Sequence, residues 1–382
     1  MVKKFKTYDD YIKVFPIDFT YYDISWDMEK YPDAWLYMCV GGRNTGKTYG
    51  ALVHYLDTKE KYMFVKRTND DVDILCNRGK GDAKNDVSPY KSINRDKGTN
   101  IKPVRFDKGF GGFFPFQDED IAGEQIGYIM SLHAIGKYKG ADFSDSKAVV
   151  FDEFIPKPSE RIDRDEGEQL MDLYKTVSRD RVVRGEPELK LICLANATNV
   201  YNPTMATMGL IDIVSYMNAI QGNAKANNHT VTVTYYDPRK KIFIRMLPMP
   251  EDMKKAEELT GFFQTMKDTD WGRMAWDNEF AFNDFSCVQH CALKGYRPYC
   301  SVHFKGKTYY IYNSDEGNYY MCMSKFNHDA PSYNLNIESQ QRKFYYDYAM
   351  YLYEAILDGR MFFAEYTMYD LIFNYKLRFK VT

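Results

Sequence analysis

A chain of 382 residues, 45% hydrophobic and 27% charged, can bury a large core and is long enough for two domains. Its formal net charge of −2 excludes polyanion binding through a global positive field, leaving that task to local basic clusters. Seven cysteines, an odd number scattered from Cys39 to Cys322, suggest a reducing compartment rather than a disulfide framework.

The first 34 residues are aromatic and charged, and Phe15-Pro16 and Tyr31-Pro32 interrupt any long helix, so they are expected to pack outside a sheet. The opening Met1-Val2-Lys3-Lys4-Phe5-Lys6 lacks the apolar region of a signal peptide, and no run nears the roughly 20 apolar residues of a membrane span. A cytoplasmic location is expected. Then Trp35-Leu36-Tyr37-Met38-Cys39-Val40 empties into Gly41-Gly42-Arg43-Asn44-Thr45-Gly46-Lys47-Thr48, which fits G-x-x-x-x-G-K-[ST]. Strand, loop and the helix-like Tyr49 to Leu56 form the context such a phosphate-binding loop requires. Its backbone N–H groups wrap a phosphate between Gly41 and Gly46, Lys47 reaches the β and γ oxygens of ATP, and Thr48 offers its hydroxyl to Mg²⁺.

Tyr62-Met63-Phe64-Val65 reads as a short buried strand ending at Lys66-Arg67, which suits phosphate binding and simple solvation equally. Residues 77–112 lose apolar periodicity and read as a long surface insertion; from Arg78 to Lys108 nine Lys or Arg face four Asp, a local charge of +5. A solubilising loop and a segment lying near nucleic acid both fit. Short strands follow over residues 113–135, with a turn at Asp118-Glu119-Asp120. In Gly136-Lys137-Tyr138-Lys139-Gly140, glycines flank two lysines and an aromatic ring, a composition suited to gripping a nucleic-acid backbone with Lys137 and Lys139.

Ala148-Val149-Val150-Phe151 is a buried strand with Asp152 and Glu153 at its carboxyl end, where open α/β sheets bind ligands. This is a Walker B pattern: Asp152 holds Mg²⁺ through water and Glu153 polarises the attacking water. Leu170, Met171, Leu173, Tyr174 and Val177 line one helical face, broadly at i, i+3, i+4, i+7 spacing, between Glu166 and Ser178, and Arg179-Asp180-Arg181 follows as helix-dipole partner or functional cation. Leu191 to Ala195 is another buried strand, ending in Asn196, a turn residue or a sensor of the terminal phosphate.

These strands, in that order, predict an α/β P-loop NTPase of the ASCE division, with a mostly parallel sheet, helices on both faces and an extra strand between the P-loop and Walker B strands. Thr230 to Tyr236 and Ile242 to Met246 read as strands at its far edge, joined by the turn Asp237-Pro238-Arg239-Lys240. The predicted division is an ATPase domain over 1–248, a helical linker over 249–285 and a second α/β domain over 286–382 without a P-loop. Cys287-x-x-His290-Cys291 resembles half a zinc site, although buried strand sulfurs account for the spacing as well.

Gly41 to Thr48, Val150-Phe151-Asp152-Glu153-Phe154-Ile155, Thr176 to Arg181 and Ile192 to Ala197 with Asn202-Pro203 together resemble the DNA-packaging ATPases of φ29-like tailed phages. The resemblance is densest from residue 36 to about 205. It implies a pentameric ring at the portal vertex of an empty capsid, drawing in double-stranded DNA by ATP hydrolysis, with a structural RNA as a further partner. It assigns phosphate binding to Lys47 and Thr48, a nucleotide contact to Arg43, metal to Asp152, the catalytic base to Glu153, a trans arginine finger to Arg179, coupling to Asn196 and DNA gripping to Lys139. It also implies a C-terminal domain resembling a degenerate RNase H-like nuclease that has lost its metal carboxylates, so that Asp315-Glu316 reads as a hairpin turn. Asn44 departs from the family, which carries glycine there. A terminase with a live nuclease, a helicase-like remodeller and a non-enzymatic portal adaptor are the competing classes.

Overall fold

The structure is a computed structural model that describes residues 8–76, 87–157, 160, 163, 165–327 and 329–381. The chain divides into two compact units, Met1–Phe282 and Asn283–Thr382. Among the described residues no helix is long and apolar enough to cross a membrane.

The first unit is built on one sheet of eleven strands: β1 (Ile12–Pro16), β2 (Leu36–Gly41), β3 (Tyr62–Lys66), β4 (Ile101–Asp107), β5 (Phe110–Gln117), β6 (Asp120–Ile121), β7 (Gly127–Ser131), β8 (Ala148–Asp152), β9 (Lys190–Ala195), β10 (Val231–Asp237) and β11 (Ile242–Leu247). Their spatial order is β1-β10-β11-β2-β9-β8-β3-β7-β5-β4, with β6 paired to β5. The neighbours from β11 through β2, β9, β8 and β3 to β7 are all parallel, while both flanks are antiparallel. Burial explains the sequence pattern: β2 is buried along its whole length and β3, β8 and β9 at all but one terminal residue each, so they read as unbroken apolar runs rather than alternating ones. Strand β9 lies between β2 and β8, as the ASCE reading requires.

Among the described residues ten α-helices accompany the strands: α1 (Ser25–Lys30), α2 (Lys47–Thr58), α3 (Asn69–Cys76), α4 (Tyr90–Lys97), α5 (Glu166–Ser178), α6 (Pro203–Met208), α7 (Ile211–Ala226), α8 (Glu251–Glu258), α9 (Gly261–Met266) and α10 (Asp270–Asp277). One face of the sheet packs Tyr37, Phe64, Phe113, Val150 and Ile192 against Leu52 and Tyr55 of α2 and Tyr90 and Ile93 of α4.

Two expectations are corrected by this architecture. The N-terminal residues do not all lie outside the sheet: β1 pairs antiparallel with β10 and forms its edge, where Pro16 at the strand end removes no interior ladder bond. The 77–112 stretch is not a surface insertion over its described part. Residues 77–86 lie outside the described residues, but Tyr90, Ile93 and Ile101 are buried in the core, and residues 101–107 and 110–112 belong to β4 and β5. Glycine enrichment here misleads for a physical reason. A Cβ on Gly111 would stand 2.5 Å from the Val104 carbonyl oxygen, so glycine serves a close strand pairing rather than a loop. The 249–282 segment folds as α8, α9, α10 and their flanks inside the first unit, with its own small core of Met249, Phe263, Ala275 and Trp276.

The second unit carries a five-stranded sheet of β12 (Tyr296–Phe304), β13 (Lys307–Ser314), β14 (Tyr319–Cys322), β15 (Ser332–Asn334) and β16 (Met361–Phe363), in the order β15-β12-β13-β14-β16. The central three strands are antiparallel and the two edge strands pair parallel to their neighbours. Its helices are α11 (Glu338–Phe344), α12 (Met350–Leu357), α13 (Tyr366–Phe373) and α14 (Tyr375–Phe379), and a π-helical turn at Tyr345–Ala349 joins α11 to α12.

Candidate active site

The carboxyl ends of β2, β9, β8 and β3 lie side by side, and each delivers one part of the site. From β2 the chain turns through Gly42 to Gly46 into α2. Local geometry selects the residue types. A Cβ on Gly42 would meet the Ala275 carbonyl oxygen at 2.6 Å, and Gly46 caps α2 at φ +91. Asn44, the departure from glycine, sits at φ +58, a region asparagine tolerates better than most side chains.

The loop is braced from two sides. On one, the Tyr22 amide donates to the Thr45 carbonyl at 2.9 Å, and the Tyr22 carbonyl lies 3.0 Å from where a Cβ on Gly46 or Gly50 would stand. Buried Asp27 holds that segment: it accepts from Tyr22 Oη at 2.7 Å and from both Nε and Nη2 of Arg245, at 2.7 and 2.6 Å. On the other side, the Arg43 amide donates to the Ala275 carbonyl at 2.7 Å, Asn278 Nδ2 donates to the Val40 carbonyl at 3.0 Å, and the Arg43 guanidinium lies 5.5 Å from the Trp271 ring centroid. This brace from 249–282 was missed in the sequence. Its only local signal was Trp271-Gly272-Arg273, where a Cβ on Gly272 would stand 2.2 Å from the Met266 carbonyl oxygen.

Lys47 folds back over the loop, donating from Nζ to the carbonyls of Gly41 at 3.0 Å and Gly42 at 2.5 Å and to Asn196 Oδ1 at 3.3 Å. Burial lowers its pKa to about 8, against the smaller opposing pull of Cys39 and Asp152. Thr48 Oγ1 donates to Asp152 Oδ1 at 2.8 Å, and Lys66 Nζ donates to Asp152 Oδ2 at 2.7 Å and Glu153 Oε2 at 3.3 Å. Burial pulls the Lys66 ammonium down, but the two carboxylates outweigh it and its pKa is raised. Hard oxygen donors from Thr48 and Asp152 at hydrogen-bond distance form a donor set that suits Mg²⁺.

Glu153 follows directly on β8 at φ +58, a left-handed conformation costing a non-glycine residue about 1–2 kcal/mol. Arg67, just past the end of β3, meets its backbone: Nη2 donates to the Glu153 carbonyl at 3.0 Å. The same guanidinium pairs with Glu160 and, at 3.2 Å, with Glu166, whose carboxyl is pushed up by burial more than Arg67 pulls it down. Position after a strand was the sole hint of this role; the network joins residues about a hundred apart.

Arg43, Lys47, Thr48, Asp152, Glu153 and Asn196 line one cleft of about 340 Å³, which opens beside a larger one of about 1000 Å³. Arg179, Lys137 and Lys139 do not line the smaller cleft. Arg179 ends α5 at φ +43, donates to the Ala141 and Gly140 carbonyls and stands 3.6 Å from Asp142. Lys137 and Lys139 are exposed on either side of Tyr138, whose ring packs against Phe110 and whose hydroxyl donates to Asp107 at 3.0 Å. In the second unit, Asp315 and Glu316 form the turn between β13 and β14, and Asp315 accepts from Arg297 at 3.1 Å.

Comparison with known proteins follows the same lines. The sequence model of the podovirus DNA encapsidation protein (Gp16) family matches residues 20–340. The chain is 25% identical over 280 residues to a DNA packaging protein of Bacillus phage B103, covering 72% of this chain and 73% of that protein. Its fold resembles a chain of the bacteriophage Phi-29 viral genome packaging motor assembly, with a TM-score of 0.62, 18% identity and coverage of 94% of this chain and 100% of that one. It also resembles the Phi-28 gp11 DNA packaging motor, with a TM-score of 0.55, 17% identity and coverage of 94% and 98%.

Proposed function

We propose that this chain, which belongs to the podovirus DNA encapsidation protein family, works its ATP at the cleft where β2, β9, β8 and β3 end. It is an ATPase that drives double-stranded DNA into a capsid, and the finer assignment concerns which groups do the chemistry. The observation that carries it is the convergence of Thr48 Oγ1 on Asp152 Oδ1 at 2.8 Å, with Lys47 Nζ 3.3 Å from Asn196 Oδ1. Three separate segments, the loop itself and the ends of β8 and β9, meet at one point, as transfer of a terminal phosphoryl group demands.

In this reading Gly41 to Gly46 cradle the phosphates with backbone N–H groups, Lys47 exchanges its loop carbonyls for β and γ oxygens, and Arg43 contacts the nucleotide. Thr48 and Asp152 hold Mg²⁺, which when bound supplies neutralisation of phosphate charge. Glu153 accepts a proton from the attacking water, and Asn196 senses the terminal phosphate through its contact with Lys47. Arg179 acts on the neighbouring subunit of a ring, a pentamer by family resemblance, and Lys137 and Lys139 grip the DNA backbone. The second unit, akin to a degenerate RNase H-like nuclease, contacts the portal at the vertex of the procapsid and a structural packaging RNA, the motor being assembled there in the host cytoplasm.

The decisive substitution is Glu153→Gln, which keeps shape and removes the base. Turnover at saturating ATP is expected to fall at least about a hundredfold, with ATP binding retained. Wild-type turnover in that variant would remove Glu153 from the mechanism.

A further inference from the structure

We infer that Arg67 is a positioning residue for Glu153, fixing the backbone from which the base projects and tying it to the first residue of α5. The inference rests on the assignment of Glu153 as base and adds a group that does not touch nucleotide.

The geometry begins with the turn after β3. Thr68 and Asp71 cap α3 reciprocally: the Thr68 amide donates to Asp71 Oδ2 at 3.0 Å and the Asp71 amide to Thr68 Oγ1 at 3.2 Å. Arg67 is thus held between a strand end and a capped helix. Its guanidinium is buried, and its planar fork is spent on three acceptors: the Glu153 carbonyl, Glu160 and Glu166. Glu166 is only 1% exposed and heads α5, where a negative charge also complements the helix dipole.

Such a buried pair is a poor source of stability, because desolvation offsets the attraction. What it supplies is geometry at a point that needs it. Glu153 holds a left-handed backbone that a glutamate seldom adopts, and the Arg67 bond to its carbonyl fixes the orientation of that peptide. Glu166 ties Arg67 in turn to α5, whose far end bonds through Arg179 to the carbonyls of Gly140 and Ala141. A shift of α5 therefore reaches the base through one buried arginine. The position of that helix sets how well Glu153 is aimed, and Arg67 contributes to the rate of hydrolysis rather than to the capture of ATP.

The test compares ATP turnover and, separately, ATP affinity in the full chain for wild type, Arg67→Lys, Arg67→Ala, Glu166→Gln and Glu153→Gln, with thermal unfolding recorded for each. Arg67→Lys keeps charge but loses the fork, so turnover is expected to fall about ten- to a hundredfold. ATP affinity is expected to stay within about twofold. Glu166→Gln, which leaves the bond to the Glu153 carbonyl in place, should lose less. Added guanidinium should restore part of the turnover of folded Arg67→Ala, because a planar cation is what that site lacks. Full turnover in Arg67→Lys, or an affinity loss as large as the turnover loss, overturns the inference; so does folded Arg67→Ala that guanidinium leaves unchanged. If Arg67→Ala fails to fold, Arg67→Lys and Glu166→Gln decide alone. An active Glu153→Gln would instead sink the assignment of the base, whereas an inactive Glu153→Gln beside a fully active Arg67→Lys would sink only the present inference.

Discussion

The two units place their adjacent acids, Asp152-Glu153 and Asp315-Glu316, in opposite settings. In the first, charged side chains gather at the carboxyl ends of a parallel sheet, partly out of water: Lys47, Lys66, Arg67, Asp152 and Glu166 are all buried or nearly so. In the second, the adjacent acids Asp315 and Glu316 ride on a hairpin turn, and the Asp315–Arg297 pair has both side chains about three-quarters exposed. An exposed pair of that kind contributes little, and it aims no group at a substrate. A parallel sheet brings strand ends from distant segments to one edge, whereas a hairpin brings together only neighbours in the chain. The difference teaches where chemistry is to be sought in this molecule: at the edge where β2, β9, β8 and β3 end.

The largest effect expected of a group outside that cleft belongs to Arg179. Within its own chain it bonds to the 140–142 backbone, so a purely internal role is a real competitor to a role in the adjacent subunit. As a finger, its loss should cost about 10³-fold or more in turnover. Rings doped with Arg179→Ala subunits should lose activity faster than the mutant fraction grows. Strictly proportional loss would confine Arg179 to its own unit. A smaller effect is expected of the DNA grip. Neutralising Lys137 and Lys139 together removes two phosphate contacts and should flatten the slope of log affinity against log salt by about 1.8. An unchanged slope would take both lysines off the DNA.

Much of the site could be read in the sequence because its determinants are local. The loop from Gly41 to Thr48 announces itself through glycines that a tight turn demands, and β8 through four apolar residues running into two acids. What escaped was everything fixed by pairing across distance. Edge strand β1 is too short and too mixed to show a period, yet its partner lies over two hundred residues away in β10. The buried pair of Asp27 with Arg245 spans a similar gap, and nothing near Asp27 marks it as the brace of the phosphate loop. Residues 87–112 misled because glycine carries two meanings, freedom in a loop and closeness in a strand, and only the partner strand tells them apart. In the second unit the helical run from α11 into α12 passes through a π-helical turn at Tyr345–Ala349, a change in hydrogen bonding with no residue type of its own.

The same contrast between units predicts where a response to mild alkali should originate. In the second unit the shifted groups are cysteines and tyrosines driven upward by burial, Cys287 to about 11 among them, which keeps that thiol neutral through pH 9. In the first, burial brings Lys47 down to about 8, and its ammonium is the group that the proposed reading sets against the phosphates. The sign follows from linkage. With a folded pKa below the ordinary lysine value of about 10.4, the free protein sheds this proton as pH passes about 8, while the unfolded chain keeps it. Stability therefore gains from this group as pH rises between those two values, but ATP affinity loses, because binding must first return the proton. The apparent KM for ATP should climb above about pH 8, approaching tenfold per unit. Calorimetric titration of ATP at pH 8 in buffers of different ionisation heat should show uptake of up to about half a proton. A KM that stays flat from pH 7 to 9 with no proton uptake would mean that Lys47 is fully charged before ATP arrives, and that desolvation beneath the loop carbonyls does not govern its titration.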